Sequence, residues 1–382
     1  MAPEARLNFC LQAPVSERDM VDPLTIPVMR PRLPSVSALT PYLRRIDEAG
    51  IYSNFGPLYD EFSERLASYF HVDRDQIALL ANGTLALQAA VETIGEPGDV
   101  WVLPSWTFVA TGQAIISARR RVHFADVDLA TWAMPVSCQS FARGQVVVAP
   151  FGDRPMIAEW AKVKTHTVFD AASCFDACRG IGGELDEKSM LMVSLHATKP
   201  LAAGEGAVLI GPRDWVMRAR SWGNFGLNGS RVASGPGMNA KISEYHCAVG
   251  LASMDSWSEK HEQLKGLTKR IKELSRAVGV ISQPSVNADY VTSTWSIMLQ
   301  DPAALRKAIA VLSANGVETR RWWPCGLADM SAFASGTRDS LAMSEFLSDR
   351  VLGLPFGTHL KREDIEKIGD LLLQFGEQGS TT

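Results

Sequence analysis

The sequence predicts an α/β chain with a mostly parallel sheet, followed by a smaller α+β domain. Between Gln76 and Asp170 short apolar runs alternate with helical patterns, as expected of parallel strands joined by helical crossovers. Two further apolar runs, from Met190 to Val193 and from Ala207 to Ile210, bracket a polar turn. After about Ser282 the strand signals become sparse, and the C-terminal stretch from 258 onward, roughly 120 residues, has a common size for a small domain.

In chain order, residues 1–35 are proline-rich (Pro14, Pro23, Pro27, Pro31 and Pro34) and read as an extended arm. A short helix is expected from Pro41 to Ala49. Asn54-Phe55-Gly56-Pro57 signals a turn. Leu58, Phe62, Leu66 and Phe70 then recur every four residues, which marks a helix with one apolar face. Strands are expected at Gln76–Leu80, Val100–Leu103, Val122–Phe124, Val146–Ala149 and Thr167–Phe169, with helices at Leu85–Ile94, Thr107–Ala118 and Met156–Val163 between them. In such sheets ligands bind beyond the carboxyl ends of the strands. Asn82, Asp170 and Ser194 fall there.

The glycine-rich segment between Gly223 and Gly237 reads as an irregular loop, and Ser243-Glu244 opens a long helix that becomes charged from Glu259. Later elements are a strand near Thr294–Leu299, a helix from Pro302 to Ala314, a strand near Val317 and a final helix from Arg362 to Phe375. The expected units are an arm at 1–35, a large domain at 36–257 and a small one at 258–382.

Composition narrows the function classes. The 382 residues carry a net charge of −4, so nucleic acid meets no basic surplus. No apolar run reaches the ~20 residues of a membrane helix. The first twenty residues carry Glu4, Glu17 and Asp19 and do not read as a secretory signal. Cys10, Cys138, Cys174, Cys178, Cys247 and Cys325 lack paired spacing, so no metal site is expected. A reduced, cytoplasmic protein is the expectation.

Three features carry chemistry. In the turn after Met190–Val193, Lys199 precedes Pro200, and Gly204 and Gly206 flank Glu205. The result is a lysine on a tight loop between two buried strands. A desolvated lysine is a nucleophile suited to Schiff-base chemistry, although a solvated lysine in a hairpin fits the same stretch. Asn82-Gly83-Thr84 at a helix start offers amides, a hydroxyl and a favourable dipole to a phosphate; an ordinary helix cap has the same residues. Asp170 ends a buried strand, where a carboxylate needs a cation, either a protonated pyridine nitrogen or an arginine. Together, in this order, they make the set of parts a pyridoxal-phosphate enzyme uses.

The stretches NFGP at 54, NGT at 82, PSWTFVAT at 104, FADVD at 124, FDAAS at 169, SLHATKPLAAGEG at 194 and NAKISE at 239 resemble those of the DegT-type (DegT/DnrJ/StrS) nucleotide-sugar aminotransferases. The resemblance covers Asn54 to about Asp255 well and the C-terminal part loosely. It implies the aspartate-aminotransferase fold (fold type I), with a mostly parallel seven-stranded sheet in the large domain. It also implies pyridoxal 5′-phosphate as cofactor, cycling through pyridoxamine 5′-phosphate. Lys199 would form the Schiff base and shuttle protons, and Asp170 would hold the pyridine nitrogen protonated. Phe108, or else Trp106, would stack on the ring. Gly83, Thr84 and Ser194 would bind the phosphate, and Asn239 would reach the phosphate of a neighbouring subunit in a homodimer with shared sites. Ser173 stands where the family more often has Gln or His beside the ring hydroxyl. His196 lies three residues before the lysine, whereas the dehydratase branch of the fold has histidine in place of that lysine, so dehydration is not expected. Implied substrates are L-glutamate and a nucleotide-linked keto-6-deoxyhexose. The loop from Asn224 to Glu244 looks more like the branch that aminates carbon 4. Arg231, Lys241 and Arg321, within an Arg-Arg-Trp-Trp cluster, are candidates for meeting substrate anions, with His196 a weaker one. A domain edge with a stacked tryptophan accounts equally for that cluster. Amination at carbon 3 or of a non-sugar ketone, and a non-catalytic regulatory or scaffold protein, are the alternatives.

Overall fold

The computed structural model describes residues 26–136 and 141–376. The expected arm at 1–35 therefore lies outside the described residues up to position 25, as do Cys10 and Cys138. Eight strands form the main sheet: β1 Ile77–Leu80, β2 Val100–Pro104, β3 Arg121–Ala125, β4 Gly144–Val148, β5 His166–Asp170, β6 Ser189–Ser194, β7 Ala207–Ile210 and the two-residue β10 Thr337–Arg338. Their order is β1-β7-β6-β5-β4-β2-β3-β10, and pairing is parallel except on both sides of β7. Seven of these are the expected strands. The eighth is an edge addition from the C-terminal third of the chain, too short to leave a periodic signal. A separate antiparallel sheet joins β8 Ile281–Ser282, β9 Trp295–Met298 and β11 Val351–Leu354 in the order β11-β9-β8.

The apolar runs are continuous because both faces of the sheet are covered. Side chains alternate across a strand. Phe169, Leu191 and Val193 join one core with Phe62, Phe70 and Phe175, while Val168, Met190 and Met192 join the other with Leu87, Trp101 and Trp222. Burial of this kind contributes about 1.5–3 kcal/mol for each large apolar side chain.

Helices keep close to their expected spans, with informative departures. The first begins earlier, at Val36–Ala49, because Ser35 caps it and Pro41 is tolerated inside its exposed first half. The stretch around Met156 forms only the single turn Ile157–Trp160. The helix Arg213–Trp222 has no counterpart in the sequence reading; its polar composition buries only Val216, Ala219 and Trp222. The long helix after Ser243 divides at Ser256 into Glu244–Asp255 and Trp257–Val278. Near Val317 the expected strand reduces to one parallel bridge with Ile26. No described helix is long and apolar enough to cross a membrane.

One buried carboxylate ties two helices together. Glu244 is 1% exposed, and its two oxygens accept from the amides of Leu58 (2.7 Å) and Tyr59 (2.9 Å) at the start of Pro57–Phe70. A carboxylate is favoured at that helix end. Gly56 permits the approach, since a Cβ there would lie 2.7 Å from Glu244 Cδ. Glu244→Ala is expected to cost about 2–4 kcal/mol, the value of hydrogen bonds to a charged group plus two orphaned donors. Chemical denaturation checks this; a change within about 0.5 kcal/mol, typical of surface substitutions, would contradict it.

Candidate active site

Register brings the three sequence features together. Leu80 and Ser194 both pair with Ala207, and Asp170 pairs with Met192 two residues before Ser194. The carboxyl ends of β1, β5 and β6 thus lie at one edge of the sheet, with the start of β7 between those of β1 and β6, and the helix Gly83–Ile94 starts from the first of them. Asn82 caps that helix, its side chain accepting from the Leu85 amide at 2.9 Å. Gly83 faces Ser194: a Cβ built on it would stand 3.5 Å from the Ser194 Cβ. The helix N-terminus and the serine therefore border one spot, with Thr84 half-buried beside them.

Asp170 is 6% exposed. Its Oδ2 accepts from Thr111 Oγ1 at 2.8 Å and its Oδ1 from the Ala172 amide at 3.2 Å. Burial raises its pKa, while these two donors and the charge of Lys199 act in the opposite direction. Among the described residues no cation forms an ion pair with it. A buried carboxylate in that state fits a bound cation such as a pyridinium.

Lys199 is placed by its hairpin. The Ala197 and Ala203 amides donate to Gly204 and Leu195 (2.8 and 2.7 Å), and the Lys199 amide donates to His196 (2.9 Å). Gly204 adopts φ +84°, which a side chain would strain. The lysine is half-buried overall, but its Nζ points inward and donates to Ser173 Oγ at 2.9 Å. Burial lowers its pKa against the opposing charges of Asp170 and Cys174. A neutral amine is the nucleophilic form.

The two aromatics separate clearly. Trp106 is 2% exposed, packs against Trp132, Phe151 and Trp323, and donates to the Trp323 carbonyl. Phe108 is 59% exposed at the start of Val109–Ser117. Thr111, one turn on, donates to Asp170. Sequence reading missed Thr111, although its place in PSWTFVAT was a usable signal. Thr111→Val is expected to weaken cofactor binding about tenfold, corresponding to ~1.5 kcal/mol for one hydrogen bond to a charged group. Spectrophotometric titration of the apoprotein checks this, and unchanged affinity would contradict it.

The other candidates lie around this crevice or beyond it, and Lys241 bridges Leu80 at the end of β1. Asn239 pairs with Asn224 on the exposed loop after Gly223 and accepts from Lys241 Nζ at 2.7 Å. The Lys241 ammonium also lies over the Phe225 ring, and partial burial lowers its pKa. Arg231 is exposed on the same loop. His196 is half-buried, with its ring nitrogens meeting Thr198 (2.8 Å) and Glu205 (3.6 Å). Arg321 donates to the carbonyls of Pro324 and Ser348, the latter ending the helix Ala342–Ser348. Arg320 lies over Trp322, and Trp323 stacks on Phe151. Arg321 thus bonds local backbone, and His196 bonds within the lysine hairpin. Cys174 and Cys178 are buried free thiols, with burial pushing Cys178 up to about 12.

An α/β sheet with an inward lysine, a buried carboxylate awaiting a cation and a helix N-terminus at one crevice defines a pyridoxal-phosphate enzyme of fold type I. A family model for the DegT/DnrJ/EryC1/StrS aminotransferase family matches residues 36–373, and the chain belongs to that family. It is 25% identical over 376 residues to a dTDP-4-amino-4,6-dideoxy-D-glucose transaminase of Escherichia coli, covering 91% of this chain and 98% of the relative. It is 26% identical over 358 residues to a dTDP-3-amino-3,4,6-trideoxy-alpha-D-glucose transaminase of Streptomyces venezuelae, covering 88% and 91%. A solved structure from Bacillus cereus, described as a PLP-dependent aminotransferase, superposes with a TM-score of 0.83 at 25% identity, covering 91% and 99%. The protein is a pyridoxal-phosphate-dependent enzyme of the sugar-aminotransferase family.

Proposed function

We propose that this enzyme converts a nucleotide-linked 4-keto-6-deoxyhexose to the 4-amino sugar, with L-glutamate as amino donor. The observation that carries the reading is the inward amine of Lys199, 2.9 Å from Ser173 and held beside the buried carboxylate of Asp170. Pyridoxal phosphate, when bound, supplies an aldehyde that accepts amino groups and a ring that takes up electrons. Lys199 would offer its amine to that aldehyde and would carry the proton at the reacting carbon. Asp170 would keep the ring nitrogen protonated, Phe108 would cover a ring face, and Gly83, Thr84 and Ser194 would hold the phosphate. Ser173, which accepts from the lysine, would serve the ring hydroxyl.

Residues 36–257 would form the cofactor-binding domain and 258–382 the smaller one. Two chains would share sites in a homodimer, with Asn239 serving the phosphate in the partner subunit's site. Exposed Phe225 (51%), Met238 (41%) and Tyr245 (47%) around that loop support such an interface. Lys241 and Arg231, on the same loop, would be the cations that meet the diphosphate. A cytoplasmic role in surface polysaccharide (O-antigen) or secondary-metabolite synthesis fits this chemistry. The Streptomyces relative favours a second reading, amination at carbon 3. Incubation with glutamate and a dTDP-4-keto-6-deoxyhexose, followed by NMR of the product, is expected to place the new amine on carbon 4. A product aminated only from a 3-keto substrate would overturn that assignment.

A further inference from the structure

The chain just before the first helix is fastened to the stretch Gly316–Glu318 and to Phe356. The Ile26 amide donates to the Gly316 carbonyl (2.7 Å), and the Glu318 amide donates to the Ile26 carbonyl (2.9 Å). The Val28 amide donates to the Glu318 carboxylate (2.8 Å), and the Phe356 amide donates to the Val28 carbonyl (3.1 Å). The following residues, Met29 to Arg32, border a cavity of about 50 Å³ whose opposite wall includes the turn from Ala197 to Pro200. Arg30, Arg32 and Lys260 line it together with Lys199, and no carboxylate does. Among the described residues, Arg30, Arg32 and Lys260 have no ion-pair or side-chain hydrogen-bond partner. Ser293, another lining residue, is 7% exposed, and its buried hydroxyl likewise lacks a partner. Burial lowers the pKa of Lys260, the direction expected for a cation lacking an anion in a partly desolvated place.

Like charges converge here, and among the described residues no carboxylate balances them; Arg30 and Arg32 are exposed on a strap anchored at Ile26 and Val28. An oxyanion would pair with them. We infer that this cavity is the pocket for the carboxylate of the amino donor, held by Arg30, Arg32 and Lys260. The inference rests on the aminotransferase reading. Its volume, room for a few waters, suits a carboxylate and falls far below the ~300 Å³ or more of pockets that enclose larger ligands. Its place beside the lysine turn suits a group attached to the carbon that bears the donor's nitrogen.

Calorimetric titration of the holoenzyme with maleate, an unreactive dicarboxylate, and separately with dTDP tests this. Wild type is expected to bind both. Lys260→Met and Arg32→Ala are each expected to weaken maleate binding about tenfold or more, as for loss of a hydrogen bond between charged groups. Lys260→Arg should largely retain it, and dTDP binding should stay unchanged in all three. An unaltered visible cofactor band verifies that the variants are folded. Unchanged maleate affinity in Lys260→Met and Arg32→Ala, or no maleate binding to wild type, would overturn the pocket. Weakened dTDP with intact maleate binding would overturn the carboxylate assignment in favour of the diphosphate. The absorbance response of wild type to glutamate reports separately on the aminotransferase reading, so the two can fail independently.

Discussion

Replacing Lys199 by alanine is expected to lower turnover by at least about 10³-fold, within the range attributed to a positioned acid–base group, and to remove the visible band of lysine-bound cofactor. The Nζ lies inside the protein, donates to Ser173 and has its pKa lowered by burial, so it is the amine of this crevice poised to react. The lowered pKa also sets the sign of the pH dependence. As pH rises through the folded-state value the amine loses its proton, so free enzyme captures the aldehyde faster toward alkaline pH. That rise occurs at lower pH than for an ordinary lysine. The backbone of the hairpin is held by its own amides and by Gly204, so the variant should remain folded. Cofactor titration and circular dichroism together check this. A folded variant retaining full turnover would remove the lysine from the chemistry and favour a non-catalytic role.

Asp170→Asn is expected to reduce turnover by about 10²–10³, the cost of losing one preorganised electrostatic contact in a dry site. The carboxylate is 6% exposed and receives two hydrogen bonds. A bound pyridinium would stabilise its ionised form and so lower the pKa that burial raises. Asparagine has nearly the same shape but no charge to keep a ring nitrogen protonated. Steady-state kinetics should therefore show the loss chiefly in kcat, while the fold is retained. An Asp170→Asn enzyme with normal kcat would show that the ring nitrogen needs no protonation here.

The central sheet was legible because its strands are buried on both faces and so stand out as continuous apolar runs, as in Met190–Val193 and Ala207–Ile210. The candidate site positions followed from chemistry at strand ends: Ser194 and the Asn82 cap lie together because Leu80, Ala207 and Ser194 share one register row, and Asp170 pairs with Met192 two residues before Ser194. Elements at the periphery were less legible. Arg213–Trp222 turns only three buried side chains inward, too few for a clear period. The two-residue strand at Thr337 exists because tertiary contact brings it to β3. Side-chain commitments were also hidden. Nothing local distinguishes Arg321, spent on the end of the helix Ala342–Ser348, from Arg30 and Arg32, which line the cavity beside the lysine turn. Thr111 acquires its role only because the start of its helix packs over the end of β5.

Lys199 and Asp170 are expected to act together in amino transfer. Adding L-glutamate to purified holoenzyme without any acceptor, and following the cofactor's absorbance while measuring 2-oxoglutarate, tests this. The visible band of lysine-bound cofactor is expected to disappear as one equivalent of 2-oxoglutarate forms per site, and a keto sugar nucleotide is expected to restore it. A band that persists with no keto acid formed, for glutamate and for every other amino donor offered, would contradict it.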